Sequence, residues 1–403
     1  MNGASPRKES YFTMMTLLLI VIFTAFIGLG LPDSVLGTAW PVIYQEMNIP
    51  ISSAGYIHSI NSVFTILSSL CSAHMIKRLG TGWVTALSTL LTAAALLGFS
   101  MTRHPAWLFL LSAPLGFGAG AVDTALNSFV AQHFDARRMN FLHCFYGVGV
   151  TISPYVMSLA LSGDNNWRKG YLIVALIQFG ITAVTILSLP LWKRAVRRSD
   201  AEVAKEENII LPYRKLFRMR GIPVTALAFF CICSIEVCAG AWSASFFVDT
   251  KGLHADIAAK ASMLFYLGLA LGRFLSGLVA GSLSCRKILH ISSAILGVGI
   301  LLMLPFLPTG VTAFGLLLVG IGMGPLFPNL THLTPLHFGN SYAQSIIGLQ
   351  MASAYVGMLL MHMVFGYLAE LFTPAVLQPF LFIMFVAYAY AYVCIMHMFR
   401  GRS

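Results

Sequence analysis

The sequence predicts an all-α membrane protein: twelve transmembrane helices in two pseudo-symmetric six-helix bundles. Three observations predict it. Of 403 residues, 58% are hydrophobic and only 10% are charged, where a soluble domain carries roughly 25% charged residues. Twelve apolar runs approach the length a helix needs to cross the hydrocarbon core, about 20 residues each. Several unusual residues of the first half recur in the second 203 or 204 residues later.

The runs fall at 12–38, 51–75, 82–102, 106–132, 140–161, 170–192, 222–248, 257–281, 287–306, 311–335, 342–369 and 374–398. The second is rich in Ser and Thr and the tenth in Gly and Pro, which makes them the weakest signals. The first run is too long for a signal-peptide core and lacks a small-residue cleavage site, so it is read as an uncleaved span. Of the 25 Lys and Arg, nineteen fall on one side of these spans, five on the other, and Arg273 falls inside a span. Positive charge marks the cytoplasmic side, so both termini are expected in the cytoplasm. The formal charge of +11 does not make a nucleic-acid surface, because the basic residues sit in short breaks between apolar runs rather than in one stripe.

The only long hydrophilic stretch divides the chain into an N-terminal bundle, 1–192, a linker, 193–221, and a C-terminal bundle, 222–403. The linker mixes Leu211, Leu216, Phe217 and Met219 with basic residues, the pattern of an amphipathic helix lying on the inner leaflet. The halves repeat. Asp33 and Gly37 return as Glu236 and Gly240, 203 residues later. Gly116, Gly118 and Gly120 return as Gly320, Gly322 and Gly324, and His133-Phe134 as His337-Phe338, 204 residues later. Several matches in register argue for a parallel duplication, the architecture of carriers whose halves rock around a central site.

Charges inside a bilayer are costly and mark function by default. Asp33, Asp123, Glu236 and Arg273 are the candidates. Gly116, Gly120, Asp123 and Asn127 share one helix face, offering a close approach for a neighbour and then a carboxylate and an amide. Asp33, Gly37 and Trp40 form a second stripe between Pro32 and Pro41, with the acid toward the outer end of its span. Glu236, near the outer end of its own span, shares a face with Gly240, Ser243 and Phe247. Arg273 reads as a structural lock in the inner half or as a partner for a carboxylate. Uncharged polar stripes follow: His58, Asn61, Thr65, Ser68 and Ser72 in the second span; His143, Tyr146, Val150 and Ser153 in the fifth; Trp242 in the seventh; Gln350 in the eleventh. Such groups suit a neutral polyhydroxylated ligand, and they also suit hydrogen bonding between helices. The seven cysteines lie in or beside apolar runs and read as packing residues, without a disulfide framework or metal site. No Gly-rich phosphate loop ending in Gly-Lys-Ser/Thr is present, so direct drive by ATP is not expected.

The segment AHMIKRLGTGW after the second span resembles the signature of the major facilitator superfamily, a small residue followed by an Asp-Arg-x-Gly-Arg run. Ala73 takes the small position, Arg78 the arginine and Gly80 the glycine; Lys77 replaces the usual acid. In the second half GLVAGSLSCRK keeps Gly277 and also lacks the acid. Within that superfamily the chain resembles the fucose–proton symporter family of sugar carriers. The family's first-span acid is matched by Asp33, and its fourth-span acid, followed by Thr-Ala and Asn, by Asp123 to Asn127. The basic residues and Asn-led run after the fourth span are matched by Arg137, Arg138 and Asn140 to Gly149. The resemblance implies a sugar-like ligand facing His143 and Tyr146, where the fucose carrier has Gln and Asn, so fucose itself is not implied.

The expected function is secondary active transport by alternating access, most simply proton-coupled symport of a sugar or similar small polar solute. Asp123, Asp33 and Glu236 would carry proton coupling, since an acid withdrawn from water can load a proton near neutral pH. Asp33, Trp40, Asn61, Asn127, His143, Tyr146, Trp242 and Gln350 would contact substrate, and Arg78, Gly80, Arg273 and Gly277 would gate or brace. The alternatives are a proton-coupled drug or metabolite antiporter and an uncoupled facilitator or sensor. No enzymatic activity, cofactor or metal is expected. The expected setting is the bacterial cytoplasmic membrane, with a monomer, the lipid bilayer, protons and a small solute as the working parts.

Overall fold

The computed structural model describes residues 6–134, 136–162, 166–192, 218–280 and 282–400. Of the linker expected at 193–221 as a surface helix, 193–217 lie outside the described residues, as do the side chains of Ala73, Arg137 and Asn140. The described chain is helical, as a bilayer demands of backbone that must satisfy its own N–H and C=O groups. The first half contains α1 (Pro6–Glu46), α2 (Ser53–Leu79), α3 (Thr81–Met101), α4 (Ala106–His133), α5 (Ala136–Leu161) and α6 (Trp167–Leu187). The second contains α7 (Ile222–Lys251), α8 (Ala255–Val279), α9 (Cys285–Leu301), α10 (Thr309–Met323), α11 (Leu326–Phe338), α12 (Asn340–Leu371) and α13 (Leu377–Met398).

Ten stretches are long and apolar enough to cross a membrane, with α10 and α11 together making one, Thr309–Phe338. The two that complete twelve are α2, which carries the polar stripe, and α9, which has only 17 residues. The tenth span breaks at Gly324-Pro325, where proline has no N–H to continue the ladder. An even number of crossings brings the described chain ends to one face; the opposite one is called the far face below.

Glycines set the helix packing in both halves. A Cβ on Gly116 or Gly120 would overlap the carbonyl oxygens of Asn61 and Thr65, so α4 lies directly on the backbone of α2. The repeat positions Gly320 and Gly324 meet the Phe265 and Leu269 carbonyls of α8 in the same way. Hydroxyls then stitch the contacts. Thr65 Oγ1 donates to Gly116 O at 3.1 Å and Ser69 Oγ to Gly120 O at 3.2 Å. Ser34 Oγ donates to Val150 O at 2.8 Å and Ser153 Oγ to Leu31 O at 2.6 Å, zipping α1 to α5.

The far face is clamped in each bundle by a long cation. Arg168 donates to the Glu46 carboxylate and to Thr102 O at the end of α3, while Trp167 Nε1 donates to the other Glu46 oxygen at 2.6 Å. In the second half Lys251 Nζ donates to Pro305 O and Leu307 O, the corresponding turn. The bundles approach each other closely at three places: Gly37 of α1 against Ala241 of α7, Gly55 of α2 against His362 of α12, and Gly147 of α5 against Ala270 of α8.

One sequence expectation is corrected here. Asp33 and Glu236 are not near the outer ends of their spans. The first helix runs to Glu46 rather than ending near 38, which leaves thirteen residues beyond Asp33, about 20 Å of helix. Glu236 has fifteen residues of α7 beyond it. Both acids therefore stand in the middle of the membrane. Pro32 and Pro41 both lie inside this one continuous helix.

Candidate functional site

The mid-membrane acids and their partners face one another where the bundles meet. Asp33, on α1, accepts a hydrogen bond from Tyr146 Oη of α5 at 2.7 Å. The two helices are brought to this distance by glycine: a Cβ on Gly30 would overlap Tyr146 O, and one on Gly149 would overlap Ile27 O. Asp33 also lines a narrow cleft with Pro32, Leu36, Ile57, His58, Asn61, Ser112 and Tyr171. Across the interface, Arg273 of α8 reaches Glu236 of α7, Nη2 to Oε1 at 3.3 Å, with the two side chains 17% and 25% exposed. This single long contact leaves the other guanidinium donors uncommitted to Glu236. Asp123 is held within its own helix: Asn127 Nδ2 donates to Asp123 Oδ1 at 2.8 Å and to Asp123 O at 3.0 Å.

These groups are electrostatic neighbours across several helices. Asp33 lies in the field of both Asp123 and Glu236. Tyr146 lies in the field of Asp33, Glu236 and Arg273, and His143, edge-on to Phe26 at 5.9 Å, in that of Arg273. Three carboxyl groups stand near one guanidinium. Carboxyl groups, a phenol, amides and an imidazole are the hydrogen-bonding groups present. The structure thus gathers Asp33, Asn61, Asp123, Asn127, His143, Tyr146, Glu236 and Arg273.

Other expected site residues lie elsewhere. Trp40 is fully buried and its Nε1 donates to Ile51 O at 2.9 Å, bracing the turn from α1 to α2. Trp242 is fully buried against Phe365, ring centroids 5.2 Å apart, with its Nε1 unpartnered. Gln350 is 2% exposed and exchanges hydrogen bonds with Thr334, Nε2 to Oγ1 at 2.8 Å, inside the second bundle. Arg78 is exposed in the last turn of α2, and Gly80, at φ +80°, turns the chain into α3. Gly277 is exposed, with open space where a Cβ would stand.

The sequence reading missed Tyr266 and Tyr355. Tyr266 Oη packs over Gly240, 2.6 Å from where its Cβ would be, and feels Asp33 and Glu236. Tyr355 feels Asp123. The signal existed: Tyr266 and Arg273 are seven apart on α8, as are Tyr355 and His362 on α12, one helix face in each case. Tyrosines are common in apolar runs, so the spacing stood out only once the facing acids were known.

Two broken-symmetric bundles around a charged mid-membrane chamber are the architecture of a secondary transporter, and the chain belongs to the major facilitator superfamily. The family model described as Major Facilitator Superfamily matches residues 18–362. The chain is 21% identical over 340 residues to the glucose/mannose transporter GlcP of Bacillus subtilis (strain 168), covering 83% of this chain and 84% of that one. It is 24% identical over 313 residues to a hexuronate transporter of the same organism, covering 69% and 70%. Among solved structures it resembles the nucleoside transporter NupG with a TM-score of 0.75 at 16% identity, over 96% of this chain and 100% of that one. It also resembles a bacterial homologue of the human lysosomal transporter Spinster, captured inward-facing and unoccupied, with a TM-score of 0.69 at 13% identity over 99% and 98%. The protein is a multi-pass membrane transporter and not an enzyme.

Proposed function

We propose that the chain carries a neutral sugar, or a small polar solute like it, together with a proton, by alternating access between bundles 1–192 and 222–403. The face of the chain ends is cytoplasmic in this reading, because the Lys and Arg between spans concentrate there. The observation that carries the proposal is Asp33: a mid-membrane carboxylate bonded by Tyr146, opening on a cleft with Asn61 and His58, in the field of Asp123 and Glu236. Glu236 is already answered by Arg273, so surplus charge rests on Asp33 and Asp123, and a proton is the smallest counter-charge that can neutralise it. A neutral solute adds no further charge to balance. The name of the glucose/mannose transporter among the relatives supports the same substrate class. Asp33 is assigned to substrate contact and Asp123 to coupling.

Thermal stabilisation of purified protein by a panel of hexoses, deoxyhexoses, hexuronates and lipophilic cations tests the substrate class, because a ligand that binds only the folded state raises its melting point. A neutral sugar is expected to stabilise the protein, and Asp33→Asn to abolish that shift. In proteoliposomes Asp123→Asn is expected to keep equilibrating exchange of the sugar and to lose uphill accumulation under a proton gradient. Stabilisation by lipophilic cations alone would replace sugar symport with antiport.

A further inference from the structure

We propose that His58 and His362 form a second proton-binding site, set in the far-face seam between the bundles, on the border of the Asp33 cleft and made of imidazoles rather than carboxylates. Their rings stack with centroids 4.6 Å apart and planes 8° from parallel. The residues are 9% and 6% exposed. One belongs to α2 and the other to α12, so the stack is itself a contact between bundles. The backbones converge around it. A Cβ on Gly55 would overlap His362 O, Gly366 packs on Ser52 O, and Ser59 Oγ donates to Leu359 O at 3.0 Å.

Hydrogen bonding decides what the closed seam accepts. His362 Nδ1 lies 2.7 Å from Met358 O, and a carbonyl only accepts, so Nδ1 carries the hydrogen and Nε2 presents a lone pair. His58 Nε2 is buried without a partner. A proton on His58 Nε2 is a charged donor with no hydrogen-bond partner in the closed seam, and one on each ring would set two cations face to face. The surrounding titratable groups do not change this. Asp33 of α1 and Tyr171 of α6 line the cleft that His58 borders, and Asp33 is engaged by Tyr146. Cys238 of α7 gives its thiol to Met361 O at 3.6 Å. Asp123 of α4 follows Gly120, which meets α2 at Thr65, two turns from His58, and Tyr355 stands two turns back along α12. Among the described residues none of these groups hydrogen-bonds either imidazole.

When the bundles part on this face both rings meet water, where histidine takes up a proton near pH 6.5. Protons therefore favour the parted seam, by up to about tenfold per pH unit per ring below that value. The site responds to acid at the far face whatever the solute.

The test needs no substrate, so it succeeds or fails independently of the sugar reading. Ser59→Cys places a reporter thiol beside the stack. Its alkylation by a maleimide is quantified on its own peptide by mass spectrometry, in full-length protein in detergent, between about pH 7.5 and about pH 5.5. The same measurement is made with His58→Phe/His362→Phe, which keeps two stacked rings that cannot titrate. Both backgrounds share the thiol's own pH response, so their ratio isolates the imidazoles. The ratio is expected to rise roughly tenfold or more on acidification, and to rise less with His362→Phe alone. A flat ratio overturns the proposal. Should the double Phe variant not fold, His58→Gln/His362→Gln takes its place, and a pH response equal to the parent's overturns the proposal equally.

Discussion

Tyr146 and Arg273 are the residues through which the chamber's acids are most directly accessible to experiment. The Tyr146 hydroxyl donates to Asp33 at 2.7 Å, and a hydrogen bond to a charged group contributes about 1.5–3 kcal/mol. Tyr146→Phe keeps the ring and removes that donor, so Asp33 loses its orientation and substrate affinity should fall about tenfold or more. Isothermal titration with the stabilising solute measures it, and unchanged affinity would show the bond to be idle in binding. The Glu236–Arg273 pair makes a different prediction. Glu236→Gln strands a partly buried guanidinium and should destabilise the protein by about 2 kcal/mol, whereas Glu236→Gln/Arg273→Met removes both charges and should recover most of that loss. Denaturant unfolding in detergent compares the two, and additive losses would deny the pairing any energetic role. Asp33, Asp123, Glu236 and Arg273 were legible in the sequence because charge inside an apolar run is rare. That Glu236 holds Arg273 was not, since the two lie 37 residues apart on different helices.

At the scale of elements, small residues decide which helices touch. Gly120 and Gly320 belong to the two repeated glycine stripes, and at each the neighbouring helix presents a backbone carbonyl where a Cβ would go. Gly120→Ala or Gly320→Ala must push rigid backbones apart and should cost about 1–3 kcal/mol each. Gly180 of α6 has open space around its missing Cβ, so Gly180→Ala should leave stability unchanged or raise it by up to about 1 kcal/mol through helix propensity. Melting temperatures in one detergent rank the three, and equal behaviour would show that the glycine stripes are not packing seams. The stripes themselves were readable from their spacing. The polar stripe of α2 was harder to judge, because serine and threonine serve ligands and helix contacts alike. Thr65 and Ser69 give their hydroxyls to α4 carbonyls, while Asn61, four residues from Thr65, borders the cleft. Only the positions of α1 and α4 separate the two uses.

For the whole molecule, coupling a neutral solute to a proton moves one positive charge per cycle. An inward-negative potential of about 100 mV then supplies about 2.3 kcal/mol, well over tenfold accumulation. Proteoliposomes given such a potential, without a pH gradient, should concentrate the solute, and the protonophore-treated control should not. Accumulation indifferent to potential would require a compensating charge movement and a different stoichiometry. The sequence by itself determined the membrane class, the twelve spans, the six-and-six repeat and the intramembrane charges, because each is written in local hydrophobicity or in a spacing of 203 or 204 residues. Tertiary structure alone decided that Asp33 and Glu236 stand at mid-membrane, that Trp40, Trp242 and Gln350 turn into the packed interior, and that Tyr266 and the His58–His362 stack face the meeting of the bundles. The physical reason is that periodicity tells which residues share a helix face, but not which helix that face meets. That is settled by where glycines let backbones close and by which hydroxyls and charges find partners across the gap.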